Sequence, residues 1–257
     1  MIFELDGARM YYERRGENGR PLVLLHGWGG SNESMAPLMR DLSGDHRVLA
    51  VDFPGHGKSP EPPEPWSVTR YCGITRALME KEGFQGADII AHSFGGRVTL
   101  MLAAEYPEMV GRLLLTGCAG IPNRPDNKLS ARTRAYKALR KLADNAVTRR
   151  ICASKVDSWR EALIQKFGSA DYKALTPSMR RTFNLVLQQD LTGCLEKITA
   201  PTLLIWGEND TATPIWMGEK MEKEIKDAAL IRFENAGHFA YLDQYPRFIA
   251  IAREFLK

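Results

Sequence analysis

Three residues, far apart in the chain but in a telling order, carry the chemistry: Ser93, Asp210 and His238. Ser93 lies in Ile89-Ile90-Ala91-His92-Ser93-Phe94-Gly95-Gly96-Arg97, close to the G-x-S-x-G pattern but with Ala91 at the first small position. Serine is a poor nucleophile near neutral pH. It needs a base to accept its proton, and a carboxylate to hold that base in the right tautomer and stabilise its cation. Asp210, in Gly207-Glu208-Asn209-Asp210, and His238, in Asn235-Ala236-Gly237-His238-Phe239, supply both, with Glu208 as a rival acid. Taken alone, the serine motif admits a plainer reading in which Ser93 only caps a helix.

These residues need elements to hold them. Apolar, β-rich runs alternate with helical patterns, as in a mostly parallel sheet covered on both faces. Core strands are expected at Pro21–Leu25, Arg47–Asp52, Ala87–His92, Arg112–Thr116, Thr202–Trp206 and Ala229–Phe233. Ile2–Leu5 and Ala8–Arg14 flank Asp6-Gly7, whose two residues both tolerate positive φ, so an edge hairpin is expected. Helices are expected around Glu33–Leu42, Thr69–Lys81, Gly95–Glu105, Trp216–Ile225 and Pro246–Phe255. Ser93, Asp210 and His238 then each follow a strand, at the carboxyl edge where an α/β sheet places its reactive centre. The turn at Ser93 needs small residues on both sides, and Ala91 adds only a methyl there.

Between residues 121 and 195 the strand-like runs vanish, and Lys128–Ala143, Ser158–Phe167 and Ser178–Leu191 read as helices. An all-helical insertion at 121–195 is expected, dividing a core of 1–120 and 196–257. From Ile121 to Arg181 there are 15 Lys and Arg against 5 Asp and Glu, a charge of +10, which leaves −6 for the rest of a chain whose net charge is +4. Cations concentrated over a site attract a carboxylate-bearing substrate, or else form an ordinary solvated face. Arg180 and Arg181 are the pair to examine, and only one of two adjacent helical residues points inward.

The 257 residues, 44% hydrophobic and 26% charged, exclude disorder and fibre and suit one large α/β domain. The small net charge and the absence of a basic run interleaved with aromatics exclude nucleic acid as the expected partner. No apolar run reaches the roughly 18 to 20 residues of a membrane span. Met1-Ile2-Phe3-Glu4-Leu5 reads as a strand rather than a signal peptide, so a cytoplasmic protein without stable membrane insertion is expected. Cys72, Cys118, Cys152 and Cys194 lack C-x-x-C spacing and are expected as free thiols, most of them buried. No His, Asp and Glu cluster has metal-ligand spacing, and His26–Gly30 lacks the Lys-Ser/Thr end of a phosphate loop, so neither metal nor cofactor is expected. His46 is expected at the surface.

With these motifs in place, the chain resembles the serine hydrolases of the α/β-hydrolase superfamily that carry a helical cap, through residues 1–120 and 196–257. The resemblance implies an α/β-hydrolase sheet of the eight-stranded type, with Ser93 as nucleophile, His238 as base and Asp210 as acid, because the G-x-x-D pattern falls on Asp210 rather than Glu208. It implies an oxyanion hole built from the amide of Phe94 and that of Trp28, in Leu25-His26-Gly27-Trp28-Gly29-Gly30. His26 and His56 are read as structural rather than as bases, and His92 as supporting or lining the pocket. Candidate substrate-binding residues are His26, Gly27, His92, Arg97, Arg180, Arg181 and Phe239. The expected activity is hydrolysis of a carboxylic ester of a small to medium-sized molecule, an anionic one if the cationic segment selects it. Two related activities stay open: hydrolysis of carbon–carbon bonds in ring-fission products, whose enzymes commonly have Asn where this chain has His92, and the eliminating synthase of menaquinone biosynthesis, which carries an Arg at the place of Arg97. A third alternative is a ligand receptor on a hydrolase scaffold.

Overall fold

The computed structural model describes residues 1–122 and 170–257. The expected helices Lys128–Ala143 and Ser158–Phe167, together with Cys152, lie outside them. The chain divides into a larger unit, Met1–Pro122 with Arg181–Lys257, and a smaller one, Asn123–Arg180.

The larger unit is built on one eight-stranded sheet. Its strands are β1 (Ile2–Leu5), β2 (Ala8–Arg15), β3 (Arg20–Leu25), β4 (His46–Asp52), β5 (Ala87–His92), β6 (Val110–Thr116), β7 (Thr202–Gly207) and β8 (Ala228–Phe233), in the order β1-β2-β4-β3-β5-β6-β7-β8. β2 runs antiparallel to both of its neighbours, β1 and β4, and the remaining pairs are parallel. The hairpin turn has Asp6 and Gly7 at φ 51° and 77°, the backbone that its tight primed turn requires. The expected strands agree with these to within two residues at each end.

Helices of this unit include α1 (Asn32–Leu42), α2 (Val68–Glu82) and α3 (Phe94–Glu105) in its first segment, and α6 (Trp216–Glu224), α7 (Ala240–Asp243) and α8 (Tyr245–Phe255) in its second. Strand side chains alternate between two cores. Leu22, Leu24, Val48 and Ile90 pack against Leu38 of α1 and Phe248 of α8. Val23, Leu25, Leu49 and Ile89 pack on the other face against Leu78 of α2, Val98 of α3 and Met221 of α6. Both faces are thus covered, which is why the parallel strands read as unbroken apolar runs. Strand order reverses between β3 and β5: the chain leaves β3 for β4 on one side and returns as β5 on the other. Such a reversal opens a crevice at the carboxyl ends of the strands.

Of the smaller unit, α4 (Ala170–Ala174) and the start of α5 (Pro177–Gln188) are described. The rest of α5 belongs to the larger unit and is tied there at several points. Thr182 Oγ1 accepts from the Trp66 amide at 3.1 Å, and Gln189, just beyond the helix, caps α2 by accepting from the Val68 amide at 3.0 Å. Cys72 and Cys118 are buried free thiols and Cys194 is a half-buried one.

His46 corrects an expectation. It is 7% exposed rather than at the surface, because it opens β4, where the Gly16–Gly19 turn lies directly on the Asp45–His46 backbone.

Candidate active site

Ser93 sits between β5 and α3 with φ 49° and ψ −105°, a conformation that costs a non-glycine residue about 1–3 kcal/mol. The surroundings hold it there. Its amide donates to Thr116 O at 3.1 Å, and its carbonyl accepts from the Ala119 amide at 3.1 Å. A Cβ at Gly95 would overlap the Leu25 carbonyl, and one at Gly96 would overlap the Cys118 sulfur, so the helix enters this close only on glycine. Ala91 is fully buried in the core, paired with Leu25 and Leu115. Its methyl fills space there rather than disturbing the turn.

Asp210 and His238 are delivered by the loops after β7 and β8. These loops touch at Gly207, where a Cβ would overlap the Ala236 and Gly237 carbonyl oxygens, and the Asn209 amide donates to Ala236 O at 3.0 Å. Asn235 takes φ 59° to turn the chain back. Ser93 Oγ lies 2.9 Å from His238 Nε2, and His238 Nδ1 lies 2.8 Å from Asp210 Oδ2. A neutral imidazole protonated at Nδ1 donates to Asp210 and leaves Nε2 free to accept from the serine hydroxyl.

The carboxyl of Asp210 is buried and well partnered. Oδ1 accepts from the amides of Ala212 and Thr213, both at 2.9 Å, and Oδ2 accepts from His238. Burial pushes the Asp210 carboxyl up, but the hydrogen bonds from His238 and Thr213 outweigh it and hold the group below its ordinary value. Glu208 is exposed and only its amide is engaged, with Phe233 O at 3.1 Å. Asp210, not Glu208, therefore faces the imidazole.

The loop after β3 closes over Ser93. Gly27 approaches so near that a Cβ would stand 2.7 Å from His92 Nδ1 and 3.3 Å from the Ser93 Cβ. A Gly27–Gly30 turn follows, closed by the Gly30 amide on Gly27 O at 3.0 Å, with Gly29 at φ 74°. Among the described residues, the amides of Trp28 and Phe94 donate to no protein acceptor. The Trp28 ring packs on His56, Phe94 and Phe183 at 4.6, 5.2 and 5.0 Å between centroids.

His26, His92 and His56 are neutral supports. His26 accepts at Nε2 from the Phe53 amide at 3.1 Å and lies 2.7 Å from Gly27 O through Nδ1, so Nδ1 carries the proton and ties the loop to β4. Burial, then the neighbouring His56, lowers its pKa to about 3. His92 Nε2 donates to His238 O at 3.0 Å, and burial, then His238, lowers its pKa to about 4. Burial lowers that of His56 to about 4 as well. Phe239 is 49% exposed and its ring stands 5.5 Å from that of His238.

The candidate arginines fare differently. Arg97 is buried, and its Nη1 donates to Val186 O at 2.9 Å and Gln189 O at 3.0 Å. It anchors the carboxyl end of α5 through these two carbonyls. Arg180 is buried and held within the smaller unit by Tyr172 O at 3.1 Å and Lys173 O at 2.9 Å, while Arg181 is exposed. Sequence reasoning missed Thr213, whose Oγ1 lies 2.8 Å from Asp210 Oδ2 and 3.2 Å from His238 Nδ1. Its only sequence signal is its place three residues after Asp210.

Among the described residues, no group of three or more His, Cys, Asp or Glu could hold a metal ion, and no helix is long and apolar enough to cross a membrane.

Known proteins share this fold. A pimeloyl-[acyl-carrier protein] methyl ester esterase of Neisseria meningitidis is 28% identical over 255 residues, covering 93% of this chain and 94% of that protein. A 2-hydroxy-6-oxononadienedioate/2-hydroxy-6-oxononatrienedioate hydrolase of a Pseudomonas species is 24% identical over 283 residues, covering 98% and 93%. The crystal structure of the enol-lactonase from Burkholderia xenovorans superposes with a TM-score of 0.76 at 24% identity, covering 100% of this chain and 99% of that one. The family model for the alpha/beta hydrolase fold matches residues 20–245, and with the sheet and strand-end site already described, the chain belongs to the α/β-hydrolase fold family of enzymes.

Proposed function

We propose that this enzyme is a serine hydrolase that cleaves carboxylic esters of small to medium-sized substrates, with Ser93 as nucleophile, His238 as general base and Asp210 as the acid that orients it. The observation that carries the reading is the unbroken line from Ser93 Oγ through His238, 2.9 Å on one side and 2.8 Å to Asp210 on the other. As Oγ attacks the ester carbonyl, its proton passes to Nε2, and the negative charge moves to the former carbonyl oxygen. The amides of Phe94 and Trp28 are the donors for that oxyanion. Collapse expels the alkoxide, which takes the proton from Nε2 and leaves an acyl group on Ser93. Water, deprotonated by the same nitrogen, then releases the acid and restores the serine.

Ester cleavage is favoured because it is the activity named for the Neisseria relative. The insertion, expected as a cap, carries a charge of +10 between Ile121 and Arg181, which fits an anionic ester or one presented on an acidic carrier. A second reading, hydrolysis of a carbon–carbon bond, is favoured by the name of the Pseudomonas relative.

The test is labelling by a fluorophosphonate probe together with turnover of short-chain p-nitrophenyl esters, in wild type and in Ser93→Ala. Joint loss of both in the variant is the expected result. Undiminished turnover by Ser93→Ala would overturn the mechanism, whereas labelling without ester turnover would favour the carbon–carbon reading.

A further inference from the structure

We infer that Thr213 is a positioning residue for the Asp210–His238 pair, an inference that rests on the triad reading above. Its Oγ1 stands among three groups at once: Asp210 Oδ2 at 2.8 Å, Gly117 O at 3.0 Å and His238 Nδ1 at 3.2 Å. A hydroxyl has one proton to give and lone pairs with which to accept. Its proton goes to Gly117 O or to Asp210 Oδ2, while its oxygen offers the Nδ1–H a second acceptor beside the carboxylate. Either way the hydroxyl contacts the carboxylate oxygen that faces the imidazole and the imidazole nitrogen itself, bracing the pair from one side.

The residue is itself held firmly enough to do this. Thr213 is 5% exposed, its amide donates to Asp210 Oδ1 at 2.9 Å, and its carbonyl accepts from the indole nitrogen of Trp206 at 2.6 Å. Trp206 is fully buried in β7, so the Thr213 backbone is fixed to the sheet. Gly117 approaches from the end of β6 at φ 50°, and a Cβ there would stand 3.1 Å from His238 Nδ1 and 3.3 Å from Asp210 Oδ2. The hydroxyl thus links the ends of β6 and β7 to the base delivered from β8. When the imidazole takes up a second proton during the reaction, a carboxylate that needs no reorientation stabilises the cation at once.

The experiment compares Thr213→Val, Thr213→Ser and Ser93→Ala with wild type in p-nitrophenyl ester kinetics and fluorophosphonate labelling, with circular dichroism on each. Thr213→Val, which keeps the shape without the hydroxyl, is expected to lower kcat and the labelling rate about tenfold with KM within twofold. Thr213→Ser, which keeps the hydroxyl, is expected within about threefold of wild type. A Thr213→Val enzyme with wild-type kcat, or equal losses in the Val and Ser variants, would overturn the inference while Ser93→Ala remains inactive. If Thr213→Val does not fold, Thr213→Ala against Thr213→Ser makes the same comparison. Undiminished turnover by Ser93→Ala would overturn the triad reading and this inference with it.

Discussion

His92 Nε2 donates a hydrogen bond to the main-chain carbonyl of His238 at 3.0 Å, and the two rings lie 4.7 Å apart. His92, the residue before Ser93, therefore holds the backbone of His238, joining the end of β5 to the loop after β8. The carbonyl can only accept, so His92 is protonated on Nε2 and neutral, consistent with its lowered pKa of about 4.

His92→Phe keeps the ring and removes the donor. A net hydrogen bond of about 1 kcal/mol predicts a fall in kcat of roughly fivefold to tenfold, with KM little changed. Steady-state kinetics on a p-nitrophenyl ester check this, and an unchanged kcat would show that His238 is held without it.

Asp210→Asn should leave the fold intact and lower kcat by on the order of 10³–10⁴, because the amide favours the wrong imidazole tautomer. Glu208→Gln, at an exposed position, should change kcat by less than about twofold. A larger loss at Glu208 would reverse the assignment of the acid.

The elbow should respond unequally on its two sides. Gly95→Ala drives a methyl into the Leu25 carbonyl and should cost about 1–3 kcal/mol of stability, along with most of the activity. Ala91→Gly removes one buried methyl, at about 1 kcal/mol, and should keep activity within a few-fold. Urea unfolding midpoints and esterase rates measure both effects, and a well-tolerated Gly95→Ala would contradict the close approach.

Acid should destabilise the fold by forcing protons onto three buried histidines. His26, His56 and His92 have folded pKa values lowered from 6.5 to about 3, 4 and 4, so between pH 6.5 and about 4 the unfolded chain binds protons that the folded one refuses. Stability is complete above pH 6.5 and falls as pH drops through that window. Asp210, with its value held low, adds stability that is lost only at lower pH. Urea unfolding from pH 7.5 to 4.5 should show the decline, and His56→Gln should make it shallower; a flat profile would contradict neutral buried histidines.

If the basic segment selects anions, an anionic ester should lose kcat/KM as salt rises, while a neutral analogue of the same length should not. Stopped-time assays from about 0.01 M to about 1 M salt, over which the Debye length falls from about 30 Å to about 3 Å, decide this. Equal responses would remove charge as a determinant of substrate choice.

Much of this protein could be read from local pattern alone. Period-two and unbroken apolar runs, and the Asp6-Gly7 turn, located all eight strands to within two residues, because strand formation and turn geometry depend on neighbours in the chain. The order Ser93, Asp210, His238, each after a strand, likewise pointed to one edge of the sheet. Tertiary structure alone decided the partners. It chose Asp210 over Glu208, two residues apart in sequence but buried and exposed in space, and gave Arg97 to the carbonyls of Val186 and Gln189. It buried His46 and brought Thr213 to Gly117 and His238, 96 and 25 residues away. A hydrogen bond is set by ångströms between groups that the chain keeps far apart, and only the packing of the sheet and its loops supplies those distances.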